Sequence, residues 1–198
     1  MYLKIKKRSI EFIEREHQIA PIFSFSPPTY TGFNSKGVTT PHQKNSRKDK
    51  VMKALLQKIT TSNAGYSALA LRIPVGIIFM AHGAQKLFGW FGGYGLEGTG
   101  QWMASIGLGP GMLMAFLAGS AEFFGGLFIL LGLLTRPAAV ALAFTMVIAI
   151  FSVHFENGLF MSNNGYEFGL ALLAASVSLA FSGAGKAALD ETLRQKLA

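Results

Sequence analysis
The chain has 198 residues, of which 51% are hydrophobic and only 14% charged, with 23 Gly, 17 Phe and no Cys. About a quarter of an ordinary soluble domain is charged, so this composition excludes that class. It fits helices packed in lipid, where glycine lets backbones approach closely. The absence of Cys excludes disulfides, thiolate metal sites and thiol redox chemistry by this chain, including that of four-helix thiol oxidoreductases.

The net charge of +8 lies entirely in residues 1–65, which hold 12 Lys/Arg and 4 Asp/Glu, whereas residues 66–198 hold 6 of each. A basic leading segment beside a neutral apolar body reads as an orientation signal or a contact with anionic lipid. No recognition motif accompanies it, so nucleic acid is not an expected partner; the lipid bilayer is.

In chain order, residues 1–50 read as a basic, mostly disordered N-terminal extension. Residues 2–18 mix basic and acidic side chains and suit a short amphipathic helix. Residues 21–49 carry Pro27, Pro28, Gly32, Gly37 and Pro41 among many Ser, Thr and Asn, which favours loop or disorder. No uninterrupted apolar run follows the basic start, so a cleavable signal peptide is not expected. Met52 resembles a natural start, and residues 1–51 read as an upstream extension or a dispensable tail.

After a lead-in at 51–65, four membrane spans are predicted within 66–182, at about 66–88, 112–134, 137–155 and 165–182, followed by a tail at 183–198. The fold class is thus an all-α membrane protein, a four-transmembrane-helix bundle. The second span is long enough for the ~20 residues that cross ~30 Å of hydrocarbon. The first is interrupted by Arg72, Pro74, His82 and Lys86. Only Thr135, Arg136 and Pro137 separate the second span from the third, which predicts a tight antiparallel hairpin with proline in the next helix's first turn. The loop at 89–111 is rich in Gly and carries Trp90, Phe91, Tyr94 and Trp102, residues that suit a membrane–water interface, and 101–106 could lie along it as a short helix. Lys50, Lys53, Lys58, Arg136, Lys186, Arg194 and Lys196 all fall on one side, so both termini are expected to be cytoplasmic.

This orientation gathers the ionisable residues. His82 is about 9 Å below the outer end of its helix, and Glu122 is about 15 Å deep in the second span, at 1.5 Å rise per residue. His154 and Glu167 stand at the outer ends of the third and fourth spans. A charge in hydrocarbon costs at least a few kcal/mol and marks a role or a partner. His82, Glu122, His154 and Glu167 are therefore the candidate site, as a proton relay or a headgroup-binding cluster. Arg72, Gln85 and Lys86 support it. His82 and Lys86 share a face at i,i+4, and Arg72 either snorkels to the nearer interface or reaches towards Glu122. Glu122 itself lies on a small-residue stripe with Ala118, Gly119, Gly125 and Gly126, where another helix can approach.

The string from His82 to Gly95, HGAQKLFGWFGGYG, resembles the signature of the DoxX-like family. Glu122–Gly126 and the later LLGLLTR run, Leu130 to Arg136, resemble its second-helix pattern, and His154 and Glu167 fall where that family carries polar residues. The resemblance covers about residues 68–181 and implies a four-helix bacterial inner-membrane protein. Some relatives are associated with membrane oxidoreductase complexes, including a small subunit of a thiosulfate:quinone oxidoreductase. The implied function is an accessory subunit of such a system, with a quinone as cofactor or substrate and a redox partner protein or a second copy as partner.

Imidazole titrates near neutral pH and burial raises a carboxylate towards the same range, so a His–Glu pair can exchange protons. No haem, flavin or nucleotide motif is present, so a redox group would be diffusible or belong to a partner. Alternatively the polar residues only tie the helices together, in a structural, assembly or transport-accessory subunit. A further alternative is a metal site of His82, His154, Glu122 and Glu167, although no local ligand motif supports it.

Overall fold
A computed structural model describes residues 41–197. The segments expected at 2–18 and 21–40 lie outside the described residues. Pro41–Ala198 form one compact unit, and every regular element among the described residues is helical: α1 Pro41–Thr60, α2 Ser67–Phe88, α3 Gly95–Ser105, α4 Gly111–Leu131, α5 Thr135–Ala149, α6 Glu167–Ser182 and α7 Leu189–Leu197.

Helix α1 corrects the expected boundary at residue 50, because residues 41–50 are already helical. Pro41 suits a first turn, and the Lys, Arg, Gln, Ala and Leu residues that follow favour helix, with no Gly or further Pro before Thr60. Three helical segments are long and apolar enough to cross a membrane: Ser67–Phe88, Gly111–Leu131 and Thr135–Asn157. The fourth expected span is shorter. At 16 residues, α6 is about 24 Å long, against ~30 Å of hydrocarbon.

The hairpin between α4 and α5 forms as expected, with shifted ends. Gly132 adopts φ 65° and closes α4 three residues early. The Leu133 N–H bonds to Phe128 O at 2.9 Å and the Gly132 N–H to Ile129 O at 3.1 Å, which satisfies carbonyls at the helix end. α5 then starts at Thr135, placing Pro137 in its first turn. Beyond Ala149, α5 widens into a π turn at Ile150–His154 and tightens into a 3-10 turn at Phe155–Asn157.

Helices α2, α4, α5 and α6 build the bundle. Phe79, Ile129, Leu142 and Leu179, one from each, are at most 1% exposed and form the centre of the core. α2 packs most closely on α4, and glycine makes that approach possible. A Cβ at Gly126 would lie 2.6 Å from Met80 N and 2.8 Å from Gly76 O, and one at Gly76 would lie 2.8 Å from Gly126 O. Of the small-residue stripe around Glu122, Gly119 and Gly126 receive α2, whereas Gly125 faces Leu142 of α5. α3 begins earlier than the expected 101–106 segment and leans on the start of α4.

Two charged side chains lock the end of the bundle that carries α1 and α7. Arg72 is 1% exposed. Its Nε donates to Ile129 O at 2.9 Å, its Nη1 to Ala184 O at 2.8 Å and its Nη2 to Leu130 O at 3.1 Å. It adds a second bond to Ile129 O and supplies a donor to Leu130 O at the end of α4, and a cation at a helix C-terminus also meets the favourable end of its dipole. Arg72 thus turns to the near end of the bundle and does not reach Glu122. Asp190, also 1% exposed, accepts the Leu134 N–H at 2.7 Å and the Thr135 N–H at 3.0 Å. The tail thereby caps α5, which has no side-chain cap of its own.

Candidate functional site
At the opposite end of the bundle, Lys86 Nζ lies 2.6 Å from Glu122 Oε2. Glu122 sits 11 residues into α4, about 16 Å from its start, whereas Lys86 is only two residues from the end of α2. The ends of the two helices are not level: Lys86 lies beside Gly119, one turn before Glu122, and its stem spans that turn. Gly119 leaves the space for it, since a Cβ there would lie 3.2 Å from Lys86 Cβ and 2.9 Å from the Leu87 side chain. The partner of Glu122 is therefore Lys86, not the histidine one turn earlier.

The pair stands in the wall of a cavity of about 590 Å³ lined by residues of α2 to α6. His82, Lys86, Glu122 and His154 are its ionisable residues, and most of the rest of the lining is apolar, including Phe79, Met114, Leu117, Phe144, Ile148 and Phe168. The His82 ring lies 6.2 Å from that of Phe168 across the cavity. Leu117 and Phe144 remain 51% and 66% exposed, so the cavity's apolar wall continues onto the lipid-facing side of α4 and α5.

His154 ends the π turn, a local widening common at functional sites. Its Nδ1 is 2.8 Å from Asn164 O; a carbonyl can only accept, so Nδ1 carries the proton and Nε2 is left to accept a bond or a second proton.

Glu167 and Gln85 do not line this cavity. The Glu167 carboxylate accepts the Met161 N–H at 2.6 Å, while its own N–H bonds to Leu159 O at 2.9 Å. It therefore fastens the irregular segment that precedes the short α6, whose backbone needs internal partners at membrane depth. Gln85 donates to Phe91 O at 3.3 Å and braces the turn after α2. Among the described residues no three His, Asp or Glu side chains come together as metal ligands. The metal alternative thus lacks a ligand set: His82, Glu122 and His154 share a cavity without converging on one point.

Sequence reasoning named the cavity's four ionisable residues but ranked Lys86 as support. The signal that could have promoted it was charge, since Lys86 and Arg72 are the cations within the spans of α2 and α4, and Arg72 lies too far towards the other end. Asp190 gave no such signal, because it sits in a polar tail.

Residues 67–155 match the model of the DoxX family. The chain is 39% identical over 122 residues to a Bacillus subtilis protein named "Putative oxidoreductase CatD", covering 62% of this chain and 83% of that protein. It is 34% identical over 127 residues to the Escherichia coli inner membrane protein YphA, covering 62% and 86%. It is also 34% identical over 134 residues to the Escherichia coli inner membrane protein YqjF, covering 65% and 92%. No solved structure matches the chain. From the signature around His82 and Glu122, the matched region and these relatives, the chain belongs to the DoxX family of integral membrane proteins.

Proposed function
We propose that this protein is an inner-membrane subunit of an oxidoreductase system and that its cavity receives the headgroup of a quinone. The observation that carries the reading is the apolar cavity with Lys86, Glu122, His82 and His154 in its wall. Its volume lies within the roughly 300–1,000 Å³ of small-molecule sites. An apolar pocket that continues onto the lipid-facing side suits a molecule already dissolved in the bilayer. Lys86 and the N–H of His82 are donors for quinone carbonyl oxygens. Reduction of a quinone consumes two electrons, which a partner protein supplies, and two protons taken up from water, which the His82 N–H donates and the Glu122 carboxylate passes on by first accepting and then releasing a proton. The relative named as an oxidoreductase supports this class, and those named as inner membrane proteins support the location.

We infer that both termini are cytoplasmic, because Lys58, Arg136, Lys186 and Arg194 gather at the end that carries α1 and α7. A non-enzymatic structural or assembly role is the second reading. It is favoured by the way Lys86 and Glu122 satisfy each other, as structural interhelical ties do.

The two Trp residues provide the test. With Trp90→Phe, the remaining Trp102, which lines the cavity, reports on occupancy. Titration of the protein in lipid nanodiscs with a short-chain menaquinone should quench Trp102 saturably, and Ala118→Phe should abolish the quenching. Mass spectrometry in native lipid should recover a bound quinone. Linear quenching identical in both variants, with no quinone recovered, would move the assignment to the structural reading.

A further inference from the structure
We propose that α1 lies against the bilayer surface, with one face holding anionic lipid headgroups and inserting its apolar side chains between them.

At 100° per residue, Arg47, Val51, Leu55 and Lys58 form one ridge of α1, at i, i+4, i+8 and i+11, with Lys48 and Met52 beside it. All six are exposed, Val51 64%, Met52 58% and Leu55 53% among them. Asp49, the single acid of α1, falls well away from this ridge. On the side away from Val51, Leu56 is partly and Thr60 fully buried where α1 meets α5 and α7, and the partly buried Ile59 lies at the edge of the ridge beside Met52. The last turns of α1 thus pack on the bundle, while Val51, Met52 and Leu55 stay uncovered.

The position of α1 relative to the membrane follows from its tether. Only residues 61–66 separate Thr60 from the first span. Arg136 Nε donates to Thr61 O at 3.1 Å and Ser62 Oγ to Ser182 O at 2.6 Å, fixing that link to the ends of α5 and α6. The C-terminal end of α1 is thus held near the level of the headgroups, and the proposal lays the uncovered stripe along that layer. Apolar side chains interleaved with cations suit that layer, where acyl-chain boundary and phosphate lie within one side-chain length of each other. A second copy meeting the same face would oppose Arg47, Lys48 and Lys58 to themselves, which argues against a dimer there.

The chain has no native Cys, so single labels can be placed cleanly in the full-length protein. Val51→Cys reports on the proposed face and Asp49→Cys on the other side. Each variant is labelled with an environment-sensitive dye and reconstituted into phosphatidylcholine vesicles with or without phosphatidylglycerol. Spin-labelled lipid should quench the dye at 51 several-fold more than at 49 when phosphatidylglycerol is present. The difference should shrink in pure phosphatidylcholine, in high salt, and with Arg47→Glu, Lys48→Glu and Lys58→Glu combined. Circular dichroism checks that this variant keeps its helix. Equal quenching at 51 and 49 in both vesicles overturns the proposal. So does protection at 51 that depends on protein density rather than lipid charge, which would indicate a second copy.

Discussion

Lys86 and Glu122 are 2.6 Å apart but unequally buried: the lysine side chain keeps 24% of its exposure and the glutamate 4%. Either charge left alone is costly in a low-dielectric interior, although Lys86 can snorkel towards the end of α2 and Glu122 can take up a proton. Lys86→Met and Glu122→Leu should therefore each lower stability by roughly 1–3 kcal/mol. The double variant should cost clearly less than the two together. Thermal unfolding of all four proteins in nanodiscs closes the cycle. Strict additivity would mean that the two side chains do not interact in the membrane.

Glu122→Gln separates charge from hydrogen bonding. The amide oxygen can still accept from Lys86, so melting should change little, while the exchangeable proton is gone. Under the quinone reading, proton-coupled quinone reduction with the redox partner should collapse in this variant. Full activity would remove Glu122 from the proton path and leave it as a tie between α2 and α4.

The same contrast shows what was legible in the sequence. Long apolar runs made α2, α4 and α5 visible, because a membrane leaves the backbone few alternatives to helix. The start of α1 was hidden among polar residues whose composition suits disorder and helix alike. Isolated charges in apolar runs led directly to His82, Glu122 and His154. Glu167 carried the same signal, and Gln85 was drawn in as a polar neighbour, yet their side chains bond to the backbone at Met161 and Phe91. An ionisable residue near a span's end cannot be told from a loop brace by its position alone. The pairing of Lys86 with Glu122, 36 residues apart, and the capping of α5 by Asp190, 55 residues away, depend on helix contacts that spacing does not encode.

Close glycine contacts predict a graded response. In Gly126→Ala the new Cβ meets the backbone of α2 at Met80 N, 2.6 Å away. Neither backbone can turn aside, so α2 and α4 must separate, at a cost of roughly 1–3 kcal/mol. In Gly98→Ala the Cβ meets only the Cβ of Tyr94, at 2.9 Å, one turn away on the same segment, so relief needs a local adjustment and no separation of helices. Thermal melts should show a large drop for the first and a clearly smaller one for the second. Equal effects would show that glycine is not what sets the α2–α4 distance.

Removing the Asp190 carboxylate should loosen the start of α5. Asp190→Ala leaves the Leu134 and Thr135 N–H groups without an acceptor, and Thr135 is fully buried. Loss of a cap of this kind costs about 1–2 kcal/mol, and Asp190→Asn should recover part of it through its amide oxygen. Hydrogen exchange at Leu134 and Thr135 should rise in the alanine variant while the centre of α5 stays protected. Unchanged exchange at both amides would mean that another group caps the helix.

The final prediction concerns the length of chain the bundle needs. The side chains of α1 that pack on the bundle, Leu56, Ile59 and Thr60, all follow Met52, while Val51, Met52 and Leu55 are exposed. A chain of residues 52–198 should therefore insert and melt close to the full-length protein, because residues 47–51 are all exposed. It should nevertheless lose sensitivity to anionic lipid, since Arg47 and Lys48 are gone. Membrane yield and melting temperature measure the first expectation, and melting in vesicles with and without phosphatidylglycerol measures the second. A marked loss of yield or stability in neutral lipid would show that the residues before Met52 pack on the bundle.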